Sequence, residues 1–202
     1  MDSPLKLGFL ASGNGSSAEA VVNAIAAGEL AAEPRLLVSN KKGAPAFAWA
    51  QARGVPVLAI PTLTDPDAAD AALAEAMAIH GVELIVMSGY LRRLGPRTLA
   101  RYAGRILNIH PGPLPRFGGE GMYGARVHAA VIAAGVPESA IVIHAVDAEY
   151  DHGPELARRP VPIVTGDTPD SLEARVKALE PQFFVETLQE IAAGRLELPR
   201  AG

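Results

Sequence analysis

An amide and an imidazole two residues apart, Asn108 and His110, close an apolar run that begins at Arg105 and gives way to Pro111-Gly112-Pro113-Leu114-Pro115. The run is rich in branched residues and reads as a buried strand. The prolines that follow lack an N–H and fix φ, so the strand stops there. Residues two apart on a strand share a face. The two side chains therefore stand side by side at a carboxyl end, the edge where open α/β sheets bind ligands. Together they can donate two hydrogen bonds to one developing oxyanion, as acyl transfer requires. The same pair can also be two satisfied polar groups at a sheet edge, so the rest of the chain has to decide.

A second stretch with chemical potential is Ser12-Gly13-Asn14-Gly15-Ser16-Ser17. It lies between an apolar strand, Leu5 to Ala11, and a helical stretch from about Ala18 to Ala27. A strand, a glycine-rich turn and a helix aim backbone N–H groups and a helix dipole at an anion. Gly13 and Gly15 allow positive φ and close backbone approach. Ser16 and Ser17 can add hydroxyl donors or cap the helix. The spacing matches neither the Walker nor the dinucleotide pattern. A phosphate site and a plain tight turn with a serine cap both fit.

The elements that must hold these groups follow from composition and periodicity. At 202 residues, 49% hydrophobic and 20% charged, the chain is long enough for one full core and too apolar to be disordered. A net charge of −4 without a Lys/Arg stripe argues against a nucleic-acid partner. The absence of cysteine removes disulfides, thiolate metal sites and a Cys nucleophile. No segment has signal-peptide or membrane-spanning character, so a cytoplasmic protein without membrane contact is expected.

Strands are predicted at 34–39, 55–60 and 84–88, with helices at 44–53, 65–80 and from Pro96 to about Tyr102. The chain thus alternates strand and helix as far as the Asn108 strand. That pattern predicts an α/β fold, a single domain built on a mostly parallel, doubly wound, Rossmann-like sheet. Beyond it come a glycine-rich loop, 117–124, expected to be mobile over the strand ends, and a helix at 125–134. A strand at 141–146 carries His144. A strand at 157–163 has Pro160 and Pro162, which suit an edge. These two form a C-terminal edge hairpin. Thr168-Pro169 opens a final helix, which Pro181 is expected to kink or break before 188–193, and the last residues read as a frayed tail. His80 reads as an exposed helix-end residue.

Several segments together resemble the phosphoribosylglycinamide formyltransferases of purine biosynthesis, within the wider folate-dependent formyltransferase superfamily. They are SGNGS (12–16), GYLRRL (89–94), AGRILNIHPGPLP (103–115), GMYGARVH (121–128) and IHAVDAEYDHGP (143–154). They occur in the family's order and cover nearly the whole chain. The resemblance implies transfer of a formyl group from 10-formyltetrahydrofolate to the amine of glycinamide ribonucleotide, with no metal. Asn108, His110 and Asp151 match the catalytic trio. In it, His110 as imidazolium and the Asn108 amide stabilise a tetrahedral oxyanion, and Asp151 keeps His110 protonated.

The substrate phosphate is expected on Gly15, Ser16 and Ser17, and Glu180 matches an acid that contacts the ribonucleotide. The pterin is expected along Leu91, Arg92, Arg93 and Leu94, opposite Val146 and Asp147 and beside Asn108, bound mostly by main chain. His144 matches a histidine near the family's site and reads equally as a buried strand residue bonded to backbone. On this resemblance residues 1–100 form a phosphate-binding half and 101–202 a folate and catalytic half. The partners implied are small molecules, and a homodimer is left open.

Ser17 stands where many members carry Asn. Pro66 falls near a position where some carry an Arg facing the folate tail, a contact that is either lost here or supplied by Arg92 or Arg93. Two alternatives remain within and outside the superfamily. One is another acceptor amine, such as a sugar nucleotide or methionyl-tRNA, or hydrolysis of the formyl donor; the tRNA enzyme and the hydrolase are expected to carry further domains. The other is a non-catalytic binding module, for which a tuned His–Asp pair has no use.

Overall fold

A computed structural model describes residues 4–200. Seven strands form one sheet in the order β3-β2-β1-β4-β5-β6-β7. The strands are β1 (Leu5–Leu10), β2 (Ala32–Ser39), β3 (Val57–Ala59), β4 (Leu84–Met87), β5 (Ile106–His110), β6 (Glu138–Ala145) and β7 (Glu155–Pro162). The first five run parallel; β6 is antiparallel to β5 and to β7. The helices are α1 (Ser16–Ala26), α2 (Ala46–Ala52), α3 (Pro66–Ile79), α4 (Pro96–Arg101), α5 (Ala125–Ala133) and α6 (Pro169–Ala192).

Each central strand feeds two apolar layers. Leu7 and Phe9 of β1, with Leu84 and Val86 of β4, pack against residues of α1, α2, α5 and α6. Leu10, Ile85 and Met87 point the other way, against α3 and α4. Burial on both faces explains why these strands read as unbroken apolar runs. The expected fold class and edge hairpin are therefore both present.

Three expectations are corrected. The third strand is shorter than 55–60, because only Val57–Ala59 pair with β2. α6 is not broken: it runs through Pro181 for 24 residues. The proline removes one N–H, but buried residues anchor both sides, Leu172 and Val176 before it and Phe183, Phe184 and Leu188 after it. The tail is not frayed as far as residue 200. The N–H groups of Arg195 and Leu196 donate to the Glu190 carbonyl, and Leu198 packs on the core. Ala201 and Gly202 lie outside the described residues.

The register sets up the site. Leu10 pairs with Met87, Met87 with Asn108, and Asn108 with His144, a single row across β1, β4, β5 and β6. β1 and β4 end at that row, whereas β5 continues two residues to His110. Every turn that leaves a parallel strand near this row can therefore reach the same space.

Candidate active site

A cleft of about 720 Å³ opens over this row. It is lined by Gly15, Ser16 and Ser17 of the first turn, Leu91 to Leu94, Asn108 and His110, Val146, Asp147 and Asp151, and Glu180 of α6. The residues singled out above for catalysis, the phosphate and the pterin thus share one cavity.

Asp151 lies between two imidazoles. Its Oδ2 is 3.4 Å from His110 Nδ1 and its Oδ1 is 3.4 Å from His144 Nε2. It sits at φ 54, a left-handed conformation that aspartate tolerates better than most residues. The N–H of Gly119 donates to its carboxylate at 3.1 Å. Burial raises the Asp151 carboxyl, but the hydrogen bond with His144, the His110 ring and the Gly119 N–H outweigh it and hold it below the usual range. The group is an anion at neutral pH.

His110 behaves differently from the expectation. It is only 3% exposed. Burial lowers its pKa below the ordinary value, and neither the Asp151 charge nor the hydrogen bond to Phe117 restores it. Asp151 therefore does not keep the resting imidazole protonated. Both ring nitrogens nevertheless face acceptors, the Phe117 carbonyl at 2.7 Å from Nε2 and the Asp151 carboxylate at Nδ1. Those are the partners of an imidazolium, so the ring is poised to take a proton once further negative charge arrives.

His144 has two roles at once. Its Nδ1 faces the Ala145 carbonyl at 3.0 Å, and its Nε2 lies 3.2 Å from Asn108 Nδ2 and 3.4 Å from Asp151 Oδ1. The ring thus holds the Asn108 amide beside the Asp151 carboxylate. The cross-strand pairing of Asn108 with His144 is the cause, and no spacing within one strand reveals it.

The glycine turn also departs from the serine-cap reading. The N-cap of α1 is Gly15, at φ 64, with no side-chain cap. Only Gly15 of the two glycines uses the left-handed region. The cap comes instead from Ser88, just after β4, whose hydroxyl accepts the Ala18 N–H at 3.2 Å. The first N–H groups of α1 have no intrahelical partner, their residues line the cleft, and the dipole of α1 stands behind them.

On the far wall, burial pushes the Glu180 carboxyl up to about 7, against the pull of Lys177 and with help from Glu173. Lys177 lines the cleft as well. So does His128 of α5, 1% exposed, whose Nδ1 has no partner among the described residues. Sequence reasoning assigned neither a role: Lys177 lies in no motif, and His128 only closes the GMYGARVH segment. The 117–124 loop is pinned at two points, the Phe117 carbonyl on His110 and the Gly119 N–H on Asp151. Asp147 is tied to the Glu149 N–H and to His152, each at 2.8 Å. Among the described residues no group of three or more His, Asp or Glu is arranged to hold a metal ion, and no helix is long and apolar enough to cross a membrane.

Comparison with known proteins agrees with this geometry. The family model described as formyl transferase matches residues 5–188. A phosphoribosylglycinamide formyltransferase of Mycobacterium tuberculosis is 37% identical over 191 residues, 94% of this chain and 86% of that protein. The chloroplastic phosphoribosylglycinamide formyltransferase of Arabidopsis thaliana is 34% identical over 195 residues, 95% of this chain and 67% of its own length. The structure of the Coxiella burnetii phosphoribosylglycinamide formyltransferase superposes with a TM-score of 0.88 at 34% identity, covering 98% of this chain and 92% of that one. A match over 184 of 202 residues, on a fold that gathers an amide, an imidazole and a carboxylate in one cleft, makes this chain a member of the formyl transferase family.

Proposed function

We propose that the protein moves the formyl group of 10-formyltetrahydrofolate onto the amino group of glycinamide ribonucleotide, a step of purine biosynthesis. The observation that carries this reading is the single cleft running from the anion-ready turn of α1 to Asn108, His110 and Asp151. The phosphate would accept N–H groups at Gly15, Ser16 and Ser17, with Glu180 on the ribonucleotide. The reduced pterin would bind along Leu91 to Leu94 and against Val146 and Asp147, beside Asn108. The two halves of the chain interleave in this arrangement. Residues 91–94 serve the donor from the first hundred residues, and Glu180 serves the acceptor from the second.

The amine attacks the formyl carbon, and a tetrahedral oxyanion forms. The Asn108 amide donates an N–H to it. The new charge offsets the burial that keeps His110 neutral, so the imidazole takes up, through water, the proton that the attacking amine loses, and stabilises the oxyanion. Asp151 balances the imidazolium until that proton passes, through water, to the leaving nitrogen of the folate. One C–N bond forms and one breaks; the products are the formylated amide and tetrahydrofolate.

The test is to mix the purified protein with 10-formyltetrahydrofolate, with and without glycinamide ribonucleotide, and follow both loss of the formyl donor and formylation of the acceptor. Consumption that depends on the ribonucleotide is expected. Equal consumption without it would mean hydrolysis, and none under either condition would refute the activity.

A further inference from the structure

Two serines cross-lace the turns that border the cleft. Ser12 follows β1 and opens the glycine turn, yet its bonds go to the neighbouring loop. Its N–H donates to the Gly89 carbonyl at 3.1 Å, and its hydroxyl accepts the Leu91 N–H at 2.9 Å while donating to Asn40 Oδ1 at 2.6 Å. Ser88 opens the 89–94 loop, yet its hydroxyl accepts the Ala18 N–H of α1 and its own N–H donates to the Leu10 carbonyl at 2.9 Å. The two residues are 2% and 5% exposed, so neither bond competes with bulk water.

The arrangement follows from topology. β1 and β4 are parallel neighbours that end on one row, and each exits into a turn bearing a serine. Gly15 can occupy the left-handed position that starts α1, but it has no side chain with which to cap it. The cap is therefore borrowed from the next strand. It engages the third residue of α1 and leaves the N–H groups at 15–17 for an anion. In return Ser12 ties down one backbone N–H of the 91–94 segment and so sets the line of its remaining main-chain groups.

We infer that Ser12 and Ser88 are positioning residues that act crosswise: Ser12, from the phosphate turn, sets the segment that receives the folate, and Ser88, from the folate loop, sets the helix end that receives the phosphate. This rests on the proposed formyl transfer for its ligands. Occupation of one site then stiffens the serine that shapes the other, and by linkage the coupling acts in both directions.

The test is a crossed pair of variants, Ser12→Ala and Ser88→Ala, with KM measured for each substrate and binding of each measured by calorimetry. Ser12→Ala is expected to raise the KM and Kd of the formyl donor about five- to tenfold, the effect of one buried hydrogen bond, and to leave those of the ribonucleotide within about twofold. Ser88→Ala is expected to do the reverse. If Ser12→Ala does not fold, Asn40→Ala, which removes the acceptor of the Ser12 hydroxyl, must move the donor constants in the same direction. Equal changes for both ligands, uncrossed changes, or a loss of thermal stability alone would overturn the inference. A parent protein that binds neither ligand would instead refute the activity it rests on, and the crosswise roles with it.

Discussion

Replacing Asp151 by Asn tests the catalytic geometry most directly. The carboxylate stands 3.4 Å from His110 Nδ1 and 3.4 Å from His144 Nε2, with one N–H bond from Gly119. A carboxamide keeps the size and can still accept from Gly119, so folding should survive. What disappears is the charge that faces His110. Coulomb's law at that separation, with an effective dielectric of about 20, gives ~5 kcal/mol for the fully formed ion pair. Burial already holds His110 below its ordinary pKa, with Asp151 the main opposing influence. Removing the anion pushes the imidazole lower still and makes the imidazolium costlier in the transition state. Part of the ~5 kcal/mol is recovered by water and by the amide dipole, so a fall in kcat of about 10²–10³ is expected. The formyl-transfer assay measures it, with calorimetry of the ribonucleotide as control, since Asp151 is assigned no phosphate contact. Turnover within fivefold of the parent and an unchanged pH–rate profile would refute the reasoning.

His110→Ala should lower kcat by about 10²–10⁴ while ribonucleotide binding stays near the parent value, measured by the same assay and titration. Glu180→Gln should flatten the pH dependence of ribonucleotide affinity between pH 6 and 8. The raised carboxyl makes the parent less stable as pH rises from its unfolded value through about 7. The glutamine variant should accordingly gain stability over the parent at pH 8 and not at pH 4, as read by denaturant unfolding. Phe184→Ala empties a fully buried site where α6 meets the sheet. It should cost about 3–5 kcal/mol in unfolding free energy, visible as a lower denaturant midpoint.

The sheet and the polar side of the cleft were legible because both obey short-range rules. β4 and β5 are buried on two faces and appear as apolar runs. Asn108 and His110 share a face at any strand's spacing of two. What the sequence concealed depends on neighbours distant in the chain. The bond of His144 to Asn108 is a matter of register between antiparallel strands. The cap on α1 comes from a residue 70 positions away, so local capping rules credited Ser16 and Ser17 instead. Pro181 looked like a break because propensity weighs the lost N–H and not the aromatic pair, Phe183 and Phe184, that follows it into the core. The protonation of His110 was misjudged for a related reason. The motif names Asp151 as its partner, but only the fold reveals how dry the ring is.

The last strand has a further consequence. β7 lies at the rim of the sheet and remains paired with β6 through Pro160 and Pro162. Both prolines must then turn their nitrogens outward, so an incoming strand finds no donor at those two positions. At the opposite rim β3 has only three residues. Neither margin offers a long, fully donating edge, so pairing with a foreign strand is disfavoured along the very direction in which the seven strands were assembled.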